Sequence, residues 1–131
     1  MKLILFLLLL VCALNLGYDF VADVTQGTIA AASDQAWTPS AQKVFAATSY
    51  FLYQNRVARE AYAMQLKLFP DDADRATAYY RIARASERLS DYTVAVKYYQ
   101  LFLKEFPNDK KSESVKGRLA DIEGVYLEFA K

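Results

Sequence analysis

Leu66-Lys67-Leu68-Phe69-Pro70-Asp71-Asp72 returns 37 residues later as Leu103-Lys104-Glu105-Phe106-Pro107-Asn108-Asp109. Each copy is a largely apolar run stopped by Phe-Pro. Proline lacks an N–H and its ring crowds the preceding turn, so both copies read as helix ends. The same offset aligns Ala58 with Ala95, Tyr62 with Tyr99, Phe45 with Ile82 and Ala46 with Ala83, and one further step carries Ile82-Ala83 to Leu119-Ala120. A fixed period of this size marks stacked supersecondary units, none of which buries its core alone. Two full units and a half fit between Pro39 and Lys131.

Each unit divides into two helices. Thr38 is expected to cap the first, with Pro39 at its first position, and the helix runs to about Phe51. The second spans Asn55 to Leu68. Asp71 with Asp74 opens the third, which reaches about Leu89. Ser90-Asp91 makes the turn into Tyr92–Glu105, and a last helix covers roughly Lys111 to Phe129. Ala83 and Ala95 allow close helix approach, with Tyr79, Ile82, Val94, Tyr98, Tyr99 and Phe102 filling the seam around them. Gly117 and Gly124 each cost about 1 kcal/mol in a helix interior, which predicts close approach of something to that surface. The last helix carries Val115, Leu119, Ile122, Val125, Tyr126 and Phe129 over two faces, more apolar surface than one neighbour covers.

The segment ahead of the repeats differs in kind. Met1-Lys2 is followed by an apolar run from Leu3 to Leu14, the form of a secretory signal and shorter than the roughly 20 residues of a spanning helix. Residues 1–22 are expected to be a signal, cleaved after Ala13, Ala22 or Ala32, or else an uncleaved anchor. Cys12 stands in this run after Val11, where a lipobox wants a small residue, and reads as one more apolar residue. Residues 23–38 are small and polar and read as a spacer, disordered or weakly helical, with Trp37 capping the end of the folded part.

The chain has 131 residues, room for one domain and a targeting segment. Apolar residues make up 54%, enough for a packed core. The balance of 16 basic against 15 acidic residues gives no general pull toward nucleic acid. There is no His, which removes the commonest general base and metal ligand, and the single Cys lies outside the repeats. Asp71, Asp72 and Asp74 lack the Gly and later Glu of a calcium loop and read as caps. Lys110, Lys111, Lys116 and Arg118 form a modest basic patch that reads as surface solvation. No phosphate-cradling glycine loop, nucleophile elbow or metal-ligand spacing is present. The expectation is therefore a non-enzyme without cofactor or metal.

Tyr79, Ile82 and Ala83 in a first helix, Ala95 and Tyr99 in a second, and Pro107 closing the unit resemble the tetratricopeptide repeat. The first unit keeps Phe45, Ala46, Ala58, Tyr62 and Pro70 but has Gln42 at the aromatic position. The run Asp91-Tyr92-Thr93-Val94-Ala95, then Tyr98-Tyr99-Gln100 and Phe102 to Asn108, resembles the envelope branch of that family, that of the Tol-Pal coordinator and the β-barrel-assembly lipoprotein, though Ser90 stands where a Gly often precedes Asp-Tyr. The resemblance implies an all-α fold, a short α-α superhelix of helical hairpins, and a binding role. In such stacks the first helices line a concave groove. The offset places three rows there: Lys43, Tyr80 and Gly117; Ala47, Arg84 and Asp121; Tyr50, Glu87 and Gly124. Tyr and Arg are common anchors of binding energy, and the small residues leave room for a peptide or helix. The expectation is an exported scaffold in the cell envelope, periplasmic or anchored, with a protein or peptide partner in the groove of Lys43, Ala47, Tyr50, Tyr80, Arg84, Glu87 and Asp121. The alternative is a structural subunit or self-associating homo-oligomer.

Overall fold

In a computed structural model, the backbone of residues 2–129 and the side chains of residues 17–125 are described. Six helices follow one another: α1 (Lys2–Ala31), α2 (Thr38–Phe51), α3 (Asn55–Leu68), α4 (Arg75–Arg88), α5 (Tyr92–Glu105) and α6 (Ser112–Phe129). No strand occurs among the described residues. Thr38 to Arg75 is 37 residues, and so are Arg75 to Ser112, Asn55 to Tyr92, and the matching helix ends Phe51 to Arg88 and Leu68 to Glu105. The all-helical hairpin arrangement follows from this repetition. Phe69 and Phe106, each just before a proline, cap the second helices with nearly the same backbone angles.

The turns within the hairpins repeat too. Tyr53 and Ser90, one period apart, both take φ 58°, and they alone among the described residues have positive φ without being glycine. A side chain in this left-handed region meets its own carbonyl, and glycine is the usual occupant after a helix end. Asp91 then accepts from the Val94 N–H at 3.3 Å to cap α5. The other expected caps resolve differently. Thr38 lies within α2 and its hydroxyl donates back to the Gln35 carbonyl at 2.7 Å, so Trp37 occupies the cap position. Asp74 caps α4 by position and makes no cap hydrogen bond; its N–H donates to Asp72 Oδ1 at 2.8 Å.

Two apolar clusters meet at α4. Ala78 and Ile82 face α2 and α3 with Ala46, Tyr50, Ala58, Ala61 and Tyr62. Tyr79 and Ala83 face the other way, toward Ala95, Tyr99 and Phe102 of α5 and Val115 and Ile122 of α6. The expected seam thus holds around Ala83 and Ala95, but Ile82 belongs to the neighbouring layer, and Val94 packs there with it. On α6, Val115 and Ile122 are buried while Glu113, Ser114, Lys116 and Glu123 are exposed, so the described part of this helix closes the stack with a polar face. Val125 is its exposed large apolar residue in the described range; Tyr126 and Phe129 lie outside it. The expected close approach at Gly117 and Gly124 is not present, because a Cβ at either would meet nothing within 4 Å.

Ahead of Pro39 the segment expected to be partly disordered or weakly helical is helical: residues 23–31 continue the helix of α1, and 32–37 are turn. A stripe at helical spacing explains it. Ala22 and Ile29 are each 3% exposed. Tyr18 Oη lies 2.8 Å from Ser49 Oγ, Arg56 pairs with Asp19 at 2.7 Å, and Gln42 donates to Gln26 at 3.3 Å. These tertiary partners, with good helix formers at Ala30 and Ala31, overcome a weak local pattern. The expectations for residues 1–16, Cys12 among them, fall outside the described side chains. Among the described residues no helix is long and apolar enough to cross a membrane.

Two substitutions test this backbone reading. Ser90→Gly is expected to stabilise the chain by about 1 kcal/mol through relief of the left-handed conformation. Gly117→Ala is expected to add about 1 kcal/mol of helix propensity in open space. Denaturant melts of both variants check the signs. A loss at either position would mean that the turn or the α6 surface is not as described.

Candidate functional site

The groove between α2 and α4 begins with two residues of α2, Ala47 and Lys43. Ala47 on α2 projects one carbon where its partner one repeat later, Arg84, projects a guanidinium. Lys43 is drawn aside: its Nζ lies 3.0 Å from Asp72 and 2.9 Å from Asp74. The hydrogen bond to Asp74, then that to Asp72, raises the Lys43 pKa. The acidic cluster before α4 therefore ties two units together as well as starting a helix. What remains open is a niche of about 210 Å³ between α2, α3 and α4, walled by Lys43, Ala47, Asp74, Thr77 and Arg81 over a floor of Tyr62 and Gln65.

Arg81 dominates this niche. Its guanidinium lies 5.0 Å from the Phe51 ring centroid, 5.2 Å from Tyr50 and 5.6 Å from Tyr62, and it donates to the Tyr62 hydroxyl. Arg88 closes the far side, 4.4 Å from the rings of both Tyr50 and Tyr53. It also donates to the Tyr50 carbonyl at 3.4 Å and to Asn55 Oδ1 at 3.3 Å. Among the described residues neither arginine has a carboxylate at ion-pair distance; their partners are rings and neutral oxygens. Ring faces attract a guanidinium by about 0.5–2 kcal/mol each without neutralising it. Gln65, 1% exposed on the niche floor, keeps a side-chain oxygen with no hydrogen bond among the described residues.

The equivalent space one repeat later is filled. Tyr80 stands where Lys43 did and packs 6.5 Å from Tyr99 and 6.4 Å from Phe102, with the Lys111 ammonium 4.7 Å from its ring. Arg84 pairs with Glu87, and Glu87 also takes Arg118 of α6 at 3.2 Å. Of the seven expected groove residues, Lys43 and Ala47 line the open niche, and Tyr50 is a 9% exposed core residue beneath Arg81 and Arg88. Tyr80, Arg84 and Glu87 form the filled second layer. Asp121 sits apart in a hollow of about 160 Å³ with Tyr92 and Val125. The groove expected from three rows thus divides into two layers of different character, and Tyr80 and Arg84, expected as anchors, are engaged within the second. Arg81 and Arg88 were missed, although the offset held a signal: Arg81 aligns with Arg118, while Tyr50 aligns with Glu87, so the first layer has the cation without its carboxylate.

Tyr99, beneath the filled layer, is fully buried, and its hydroxyl lies near Glu87 and Arg84 without a well-aligned hydrogen bond among the described residues. Burial, followed by the charge of Glu87, raises its pKa, and burial raises that of Tyr62. A phenol whose folded pKa lies above its unfolded value supports the fold below about pH 10 and loses that support as pH rises further. Melts are expected to be insensitive to these tyrosines up to about pH 10 and to fall beyond it. Tyr99→Phe removes an unpaired buried hydroxyl, is expected to gain about 1 kcal/mol at neutral pH, and should soften the alkaline fall. Destabilisation by Tyr99→Phe would instead reveal a hydrogen bond of that hydroxyl.

Among the described residues no group of His, Cys, Asp and Glu is placed to hold a metal ion. Neither a family model nor a curated protein matches the chain.

Proposed function

We propose that the chain is an exported, tetratricopeptide-like scaffold module that holds a peptide segment of a protein partner in the niche between α2 and α4. The observation that carries this reading is the pairing of Arg81, a guanidinium with no carboxylate among the described residues, with Gln65, a buried amide oxygen with no donor, on one open niche. A peptide supplies both complements, since each unit offers an acceptor and a donor. The exposed rings of Phe51 and Tyr53 beside Arg81 and Arg88 supply apolar contact area of the kind that anchors interfaces. The repetition of helix bounds every 37 residues and the small-aromatic pattern of each hairpin support the tetratricopeptide likeness. Export rests on the basic start and apolar run of residues 1–14. Because Tyr18, Asp19, Ala22 and Ile29 contribute to the packed stack, processing after Ala13, or none, leaves it whole, whereas a cut after Ala22 or Ala32 removes contacts.

The test fills the niche as the chain itself fills the next one. In Ala47→Arg, the new guanidinium occupies the open space; in Arg81→Gln, the cation is lost. Ala47→Arg is expected to keep the melting temperature within a few degrees and Arg81→Gln to lower it through loss of its ring contacts, and both to reduce capture of an envelope partner by roughly tenfold, set against an exposed control such as Lys104→Gln. Retention of full capture by both variants would sink the reading. Intact mass of the exported product decides between processing after Ala13 and none, and a mass starting at Asp23 or Ser33 would contradict the packing of α1.

A further inference from the structure

A second and larger groove, about 670 Å³, lies at the opposite, N-terminal side of α2, between it and α1. Its walls include Val24 and Thr28 of α1, Trp37 of the turn, and Ala41, Val44 and Phe45 of α2. Its polar groups are the uncharged hydroxyls of Thr25, Thr28, Ser40 and Thr48. Val24, Trp37 and Val44 are all more than half exposed. Among the described residues, five of the eleven exposed large apolar side chains, from Phe20 to Val44, lie in the segment of α1, turn and α2 that forms this groove. The other end of the stack closes with the charged face of α6.

The repeat itself tells what such a surface is shaped to receive. Positions 24, 25, 28, 41, 45 and 48 of this groove become, one period on, Ala61, Tyr62, Gln65, Ala78, Ile82 and Ala85, none more than 2% exposed. Four of them, Ala61, Tyr62, Ala78 and Ile82, share a cluster with Phe45, Ala46 and Tyr50 of α2, a 14-residue helix. In the first layer no described helix takes that place. Asp23 and Asp34, both exposed, stand near the groove walls Val24 and Trp37 in sequence, while Asp19 is paired with Arg56 and Lys43 with Asp72 and Asp74. We propose that this groove seats an amphipathic helix of a protein partner, about four turns long, with a small residue and an aromatic four positions later on its apolar face and Lys or Arg on its flanks. The inference does not rest on the α2–α4 niche, since it uses different residues and a different face.

Trp37 is the only tryptophan of the chain and stands on the lip of the groove, so its emission reports occupancy. The probe is a synthetic peptide with the sequence of residues 38–51, which lacks Trp, extended by two lysines at each end; a second version carries two glutamates instead. Titrated into the full chain, the Lys-flanked peptide is expected to shift Trp37 emission to the blue with saturation. The Glu-flanked version should bind roughly fivefold more weakly, and the gap should close at high salt. A peptide carrying Ala46→Glu and Tyr50→Ser should not bind. In the chain, Val44→Glu and Thr48→Arg, both at exposed positions, should each weaken binding roughly tenfold with an unchanged melting temperature. The proposal is overturned by an unshifted Trp37 emission at millimolar peptide, by equal affinity of the two flanked peptides, or by undiminished binding in both variants. It is also overturned if sedimentation shows a stable multimer in which Trp37 is already buried and Val44→Glu yields the monomer, since the occupant is then a second copy of this chain.

Discussion

Close contact between helices at alanine is the constraint on which the rest of this structure depends. Ala46, Ala58, Ala61, Ala78, Ala83, Ala85 and Ala95 have no exposed surface at all. Where they meet, nothing but a methyl group separates one helix from the next, and the bulky side chains around them, Tyr62, Ile82, Tyr99 and Phe102, interlock because the backbones are near. A larger residue at such a point forces the helices apart, at a typical cost of about 1–3 kcal/mol. The damage would not stay local, since α4 lends one face to each apolar cluster. The turns, caps and ion pairs then fix the direction in which each hairpin meets its neighbour.

On this uniform frame the side chains that leave the core differ from layer to layer, and the proposed function rests on those differences. Lys43 and Ala47 become Tyr80 and Arg84; Tyr50 becomes Glu87; Arg81 becomes Arg118. In the second layer these choices complete one another: Tyr80 fills the space and Glu87 gathers two arginines. In the first layer they do not, so a niche stays open and an arginine faces only rings and a phenol. A repeat protein offers this comparison within one chain, because each layer is a reference state for the next.

The helix bounds were legible because their signals are local. Phe-Pro at the ends of α3 and α5, Thr38-Pro39 at the start of α2 and Asp91 before α5 are such signals, and the period carries them to the other helices. The left-handed turns were half legible: the connection length was plain, but neither Tyr53 nor Ser90 announces a positive φ as glycine would. The helical course of residues 23–31 was not legible, because its stripe of Ala22, Gln26 and Ile29 is short and mixed, and its partners Gln42, Ser49 and Arg56 lie far along the chain. Of the four arginines of α4, the sequence alone does not tell which has a carboxylate. That depends on Glu87, Glu105 and aromatic neighbours contributed by other helices.

The continuity of α1 has a mechanical consequence. Its helix runs from Lys2 to Ala31 without a break, and Tyr18 and Asp19 on it are bonded to Ser49 and Arg56 of the stack. Tyr18 stands only four residues of helix, each rising about 1.5 Å, beyond Leu14 at the end of the apolar N-terminal run. Whatever grips those first turns holds the body by a lever and not by a leash. A body on a flexible linker searches a sphere; this one would sweep a narrow cone, at a height above its attachment set by a count of residues. Lengthening α1 by one residue would turn the whole stack by about 100° around the helix axis, and by four residues would nearly restore its heading one turn higher.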